Sequence, residues 1–148
     1  MKTDILLAIA KVVRETPDKE FDMDHWACGT TGCAIGRGIM QGVVPGLELT
    51  AVKLNGMLAR AHIFPHVVGG KDYDWNSNDN EDFGFAAVAK VLGISRENAD
   101  WLFSLDEYDC FRVQDDEDSF CYERPLQELV AERIEKFVAR AAADGSDA

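Results

Sequence analysis

The sequence has no apolar run long enough to cross a lipid bilayer, which takes about 20 residues. The apolar run near its start, residues 5–10, follows Asp4 and is interrupted at Lys11. A secretory signal needs an uninterrupted apolar region followed by a small-residue cleavage site, and neither is present here. The sequence therefore predicts a cytoplasmic protein that makes no contact with a membrane.

Cysteine is also scarce, with four among 148 residues. This is too few to suggest the disulfide framework of a small secreted protein, although spacing alone leaves pairing open. Zinc sites usually contain a tight pair of ligands at each end. Cys28 and Cys33, with His25 before them, fit this only loosely, and ten residues separate Cys110 from Cys121. We predict no metal and no cofactor.

Positive charge is scarce in two segments, which account for the whole net charge of −12. Residues 72–82 hold five acidic side chains and no Lys or Arg, and residues 106–123 hold eight acidic side chains and one Arg. Such charge repels a phosphate backbone. Residues 85–104 follow a helix-turn-helix order, but their second helix carries Glu97 and Asp100. The sequence thus predicts no direct binding to nucleic acid.

The remaining composition is that of an ordinary globular protein, with 47% hydrophobic and 28% charged residues. A chain of this length suits one hydrophobic core. No linker and no internal repeat interrupts it, so we predict a single helical domain over residues 1–142. Residues 143–148 are small and polar, and we expect this C-terminal tail to fray.

Apolar residues recur at helical spacing along most of the chain, which predicts a mainly α fold. We expect a compact single-domain bundle of five or six helices with long acidic loops, and the pattern allows one small β element. The first predicted helix is capped by Thr3 or Asp4 and stopped by Pro17, the second is capped by Thr30 or Thr31 and ends near Gly42, and the third opens at Thr50. The fourth covers residues 83–92, the fifth is capped by Ser95, and the last starts at Pro125.

Two short stretches resemble a family of small uncharacterised proteins of bacteria and phages. The first is the Cys-Gly-Thr-x-x-Cys element that ends at Cys33, and the second is Leu92-Gly93-Ile94-Ser95 followed by Leu102-Phe103. The resemblance implies a shared helical fold. No activity is known for that family, so the resemblance implies none here.

Cys33 supports one alternative, a small cysteine-dependent hydrolase or transferase. A cysteine at a helix start feels the positive end of the helix dipole, which lowers a thiol pKa. His25, His62 or His66 would then serve as the base, in a layout that loosely resembles papain-like peptidases. The competing interpretation is structural, because small cysteines fill a core beside Gly32 and Gly36, where helices pack closely.

A calcium site is a further alternative at residues 72–78, where oxygen-bearing side chains alternate as in an EF-hand loop. An EF-hand needs a glycine where this chain has Ser77 and a bidentate glutamate where it has Phe83. A solvated acidic loop is therefore the favoured interpretation.

Both acidic segments contain aromatic side chains, which suits docking on a basic protein surface, because the acids steer the encounter and the rings anchor it. We predict a binding protein rather than an enzyme: a decoy, nucleic-acid mimic or inhibitor of the phage or bacterial type, whose partner is a basic protein that itself binds nucleic acid. The predicted partner-binding residues are Asp72, Asp74, Trp75, Asp79, Glu81, Asp82, Asp106, Glu107, Asp109, Asp115, Asp116, Glu117 and Asp118.

Overall fold

The computed structural model describes residues 1–23, 33–50, 53–54, 57–58, 66–69, 84–116 and 119–144. This part of the chain is mainly helical, which confirms the predicted fold class. Its α-helices are α1 (Thr3–Glu15), α2 (Ala34–Met40), α3 (Gly84–Leu92), α4 (Arg96–Phe103) and α5 (Leu126–Asp144), with 3-10 helices at Asp18–Glu20 and Leu105–Phe111. Its strands are β1 (Leu47–Thr50), β2 (Lys53–Leu54), β3 (Met57–Leu58), β4 (His66–Gly69), β5 (Arg112–Asp116) and β6 (Ser119–Tyr122).

The core forms where α1 packs against α5 and α2. Apolar residues three and four apart give α1 one buried face, which meets a matching face of α5. Burying a side chain such as Ile9 or Ile134 contributes about 1.5–3 kcal/mol. At the edge of this contact Arg14 of α1 forms ion pairs with Glu128 and Glu135 of α5. The described helices include none long and apolar enough to span a membrane.

The start of α1 differs from the prediction by one residue. Thr3 is already helical, and the capping position belongs to Lys2, whose side chain makes no capping hydrogen bond. Instead the backbone N–H of Lys2 donates to the carbonyl of Leu92 at 2.8 Å. Tertiary contact with the end of α3 therefore takes the place of a local cap.

Helices α3 and α4 form the predicted helical hairpin. Gly93 has φ +68°, a left-handed conformation that ends α3, and Ile94 N–H donates to the carbonyl of Ala89 at 3.0 Å. The hydroxyl of Ser95 accepts a hydrogen bond from Asn98 N–H at 3.1 Å and so caps α4. Both signals are local in sequence, and both predictions are confirmed.

The predicted helix opening at Thr50 is wrong. Strands β2 and β3 pair antiparallel there, with Leu54 opposite Met57. The sequence between them is Asn55-Gly56, the dipeptide most typical of a two-residue hairpin connection. The apolar spacing also fits a helix, but the turn signal is the stronger one. With β1–β4 and β5–β6, the described residues hold three two-stranded antiparallel pairs where one small β element was allowed.

The second acidic segment is also more regular than the predicted loop, since it contains the 3-10 helix Leu105–Phe111 and the hairpin β5–β6. The first acidic segment, residues 72–82, lies outside the described residues, and so does the candidate calcium loop. Helix α5 extends to Asp144, two residues past the predicted domain end. Residues 145–148, the rest of the predicted tail, lie outside the described residues.

Candidate functional site

The 3-10 helix Leu105–Phe111 carries three of the predicted partner-binding residues on its exposed sides. A 3-10 helix has three residues per turn, so side chains three apart lie above one another. The inward row is apolar: Tyr108 is fully buried, and Leu105 and Phe111 pack against the core on either side of it. The acidic side chains lie on the exposed sides and are Asp106, Glu107 and Asp109. The 3-10 helix therefore buries its apolar side chains and exposes its carboxylates.

Tyr108 anchors this helix to α4. Its hydroxyl donates to the carbonyl of Leu102 at 2.6 Å. Burial raises the pKa of Tyr108 well above its ordinary value, although the nearby charge of Arg133 opposes the rise. The phenol therefore stays neutral and keeps its proton for this hydrogen bond.

Arg133 of α5 holds the same helix from the other side. Its Nη1 donates to the carbonyls of Trp101 at 2.9 Å and Glu107 at 3.0 Å. Its guanidinium carbon lies 4.1 Å from the ring centroid of Tyr108, 4.6 Å from that of Trp101 and 5.5 Å from that of Phe111. Such cation–π contacts contribute about 0.5–2 kcal/mol. Arg133 thus fixes the acidic 3-10 helix on α5.

Two more of the predicted partner-binding residues lie in the hairpin β5–β6. Gln114 pairs with Phe120 and Asp116 with Ser119, so Asp115 is the extra residue of a β-bulge. The backbone therefore puts Asp115 and Asp116 at the end of the hairpin, away from Arg112 and Tyr122 at its base. The hairpin returns to the 3-10 helix through a hydrogen bond from Glu123 N–H to the carbonyl of Phe111 at 2.8 Å.

The structure thus brings Asp106, Glu107 and Asp109 together on one helix and places Asp115 and Asp116 on the strand that follows it. The other predicted residues lie outside the described part of the chain. They are His62, Asp72, Asp74, Trp75, Asp79, Glu81, Asp82, Glu117 and Asp118.

Cys33 occupies the capping position of α2, as the hydrolase alternative requires, but its environment opposes that alternative. The thiol is 4% exposed, and its Sγ accepts a hydrogen bond from Gly36 N–H at 3.4 Å. Burial raises the pKa of Cys33 to about 11, while the backbone N–H groups lower it by less. The expected lowering by the helix dipole is therefore wrong, because desolvation outweighs it. His66 lies in β4, opposite Thr50.

A cationic pocket is the feature that the sequence analysis missed. It has a volume of about 220 Å³ and lies between α4, the 3-10 helix and α5. Its lining residues are Trp101, Phe111, Arg124, Leu129, Glu132, Arg133, Lys136, Phe137 and Arg140. One signal was present in the sequence, since Arg133, Lys136 and Arg140 follow each other at helical spacing on one face of α5.

Within the described ranges, no three His, Cys, Asp or Glu side chains come together as a metal site would require. The loose zinc alternative at His25 and Cys28 lies outside these ranges.

The family resemblance depends on two short stretches, and the structure describes the second, which forms the turn between α3 and α4. The first is described only from Cys33 onward. Searches with this chain found no matching protein-family model, no matching curated protein and no matching solved structure. The resemblance therefore stays a prediction.

Proposed function

We propose that this protein is an acidic interaction module that acts in the cytoplasm. It binds a basic surface on a nucleic-acid-binding protein and acts there as a decoy or inhibitor. The observation that carries the proposal is the 3-10 helix Leu105–Phe111, because its acidic side chains are exposed while its backbone is held by Tyr108 and Arg133.

Fixed acids suit this role because binding has little chain ordering left to do. In a free loop, carboxylates lose conformational freedom when they dock, and that loss offsets much of the electrostatic gain. Here the inward row of the helix is already packed. Asp109 also lies 3.6 Å from Arg112, but that ion pair is exposed and contributes little, so Asp109 remains available to a partner.

The spacing of the acids also supports the proposal. Asp106 and Asp109 are three residues apart and share a face of a helix that rises about 2 Å per residue, so their axial separation is about 6 Å. Two carboxylates on one face of a packed helix present a defined pair of negative charges, which complements a basic surface.

The first experiment captures partners from a bacterial lysate on the immobilised protein at low and moderate salt. A charge-neutral variant, Asp106→Asn with Glu107→Gln and Asp109→Asn, is compared with the wild type. The matched control neutralises three exposed acids elsewhere, Glu15→Gln with Glu97→Gln and Asp144→Asn, and so has the same net charge. We expect a basic protein to be retained by the wild type and the control, and lost by the first variant.

The captured protein is then purified, and its affinity is measured against salt and against its own nucleic acid. We expect affinity to fall steeply with salt, because exposed charges are screened, and duplex or single-stranded nucleic acid to compete with binding. Equal capture by all three proteins contradicts the proposed surface. Binding that nucleic acid leaves unchanged contradicts the decoy mechanism.

A further inference from the structure

The cationic pocket between α4 and α5 has the opposite charge to the rest of the protein. Four cationic side chains and one carboxylate line it, a local net charge of +3 in a chain whose net charge is −12. Three aromatic rings, those of Trp101, Phe111 and Phe137, share this lining. Positive charge beside aromatic faces is a combination that packing alone does not require.

Glu132 accounts for two of the four cations. Its Oε1 lies 2.6 Å from Lys136 Nζ, and its Oε2 lies 2.6 Å from Arg124 Nη1. The hydrogen bonds from Lys136 and Arg124 lower the pKa of Glu132 to about 2, so it stays ionised at neutral pH. The carboxylate of Glu132 therefore pairs with both Lys136 and Arg124, and these three side chains together keep a net positive charge.

The other two cations have no carboxylate partner in the part of the chain that the structure describes. The two hydrogen bonds that Arg133 Nη1 donates go to neutral carbonyls, those of Trp101 and Glu107. Arg133 is partly exposed, and its side chain forms part of the pocket lining. Arg140 is exposed at the pocket edge and forms no ion pair with a described residue.

We propose that this pocket binds a small aromatic anion, a single ring that carries a carboxylate or a phosphate. The ring packs against Trp101 and Phe137, whose centroids lie 6.4 Å apart at 54° to each other. Arg133 and Arg140 meet the anionic group, and an arginine fork matches either a carboxylate or a phosphate. This site goes beyond the acidic interaction surface and does not depend on it.

The size of the pocket limits the ligand. Pockets for drug-sized molecules occupy about 300–1,000 Å³. The pocket here has about 220 Å³, and buried Leu129 forms part of its lining. It therefore suits one ring with its anionic group and is too small to enclose a dinucleotide.

The negative charge of the whole protein does not prevent this binding. At physiological ionic strength the Debye length is about 8 Å, so distant carboxylates are largely screened at the pocket. Contacts at hydrogen-bond distance are screened much less. The local charge of the pocket therefore decides which ions it attracts.

The test uses four probes with the intact protein: benzoate, phenyl phosphate, benzyl alcohol and inorganic phosphate. Binding is measured by calorimetry and by chemical-shift changes of the Trp101 and Phe137 rings. We expect benzoate or phenyl phosphate to bind, and the better of the two identifies the anionic group. Benzyl alcohol has the ring but no negative charge, and inorganic phosphate has the charge but no ring. Each should bind at least about tenfold more weakly. Equal binding of benzyl alcohol, or no binding of either aromatic anion up to about 10 mM, overturns the proposal.

Three variants separate recognition from folding. Arg140→Gln removes an exposed cation and weakens binding about 2- to 5-fold, the effect of an exposed ion pair. Glu132→Gln removes the competing carboxylate and strengthens binding by a similar factor. Lys11→Gln removes an exposed cation outside the pocket and leaves binding unchanged. Weaker binding in Glu132→Gln, or unchanged binding in Arg140→Gln, contradicts the assigned roles.

Discussion

Cys33 shows how one residue at a helix start is governed by its burial rather than by the helix dipole. The capping position supplies backbone N–H groups that favour a thiolate, and Sγ does accept a hydrogen bond from Gly36. Removing the thiol from water disfavours the charged form more strongly. The residue therefore acts as a small apolar side chain in the core.

Cys33 should be inert toward alkylation at neutral pH. With its pKa raised to about 11, the thiol is almost wholly protonated at pH 8, and burial also blocks access. Cys110 is exposed and provides the internal control. We expect iodoacetamide to label Cys110 at least about 100-fold faster than Cys33, as judged by peptide mass spectrometry. Rapid labelling of Cys33 in the folded protein would restore the nucleophile alternative.

A pH series extends the same measurement. The ionised fraction of a thiol rises about tenfold per pH unit until the pH reaches its pKa, so labelling of Cys33 should keep accelerating until about pH 11. The unfolded chain ionises at a lower pH, since its thiol has an ordinary pKa of about 8.5. The stability that this buried thiol contributes is therefore complete below that value and falls as pH rises from about 8.5 toward 11.

At the scale of elements, Arg133 joins α5 to the end of α4 and to the acidic 3-10 helix Leu105–Phe111. Its guanidinium donates two hydrogen bonds and makes cation–π contacts with three rings. Lysine carries the same charge but has neither the plane nor the fork. The geometry of the group, rather than its charge, therefore holds the elements together.

Arg133→Lys should loosen the 3-10 helix while α1 and α5 stay folded. Hydrogen bonds from a charged donor contribute about 1.5–3 kcal/mol, so we expect the free energy of unfolding to fall by about that much. Amide hydrogen exchange should accelerate in residues 105–111 more than in Thr3–Glu15. Arg140→Lys is the matched control, because Arg140 is exposed on the same helix. Equal exchange in the two variants would show that Arg133 does not hold the 3-10 helix.

The elements that local sequence signals define were the predictable ones. Gly93 and Ser95 mark the turn between α3 and α4, and both act within four residues of their own position. The hairpin of β2 and β3 was missed because apolar spacing fits two structures, and the deciding signal was Asn55-Gly56. Element type is least certain where a short apolar run carries both patterns.

The cationic pocket was less accessible to sequence reasoning because three elements converge to form it. Arg133 and Trp101 are 32 residues apart, and no periodicity relates them. The inward row of the 3-10 helix was likewise concealed, since Tyr108 stands among acids and resembles part of a solvated loop. The exposure of Asp106, Glu107 and Asp109 could be predicted from the sequence, because charged side chains are rarely buried without a partner.

At the scale of the whole molecule, the acidic 3-10 helix and the cationic pocket lie side by side. Phe111 ends the 3-10 helix and also lines the pocket, and Arg133 contacts both. The protein therefore presents opposite charges over a short distance. The carboxylates of the 3-10 helix attract a basic partner and repel an anion in the pocket. Removing them should therefore weaken the first interaction and strengthen the second, so one variant tests both proposals.

That variant is the triple change Asp106→Asn, Glu107→Gln and Asp109→Asn. It removes attraction for a basic partner, so partner binding should weaken by about 3- to 150-fold, since each of the three exposed contacts contributes about 0.2–1 kcal/mol. The same change removes repulsion near the pocket, so benzoate should bind slightly more tightly at low salt, and the gain should vanish as salt screens the carboxylates. Weakening of both ligands would indicate a damaged fold, which thermal unfolding detects. If partner binding is lost and benzoate binding is unchanged, the acidic surface is supported, and its carboxylates do not influence the pocket. If partner binding is unchanged and benzoate binds more tightly, the acidic surface is excluded and the pocket proposal stands.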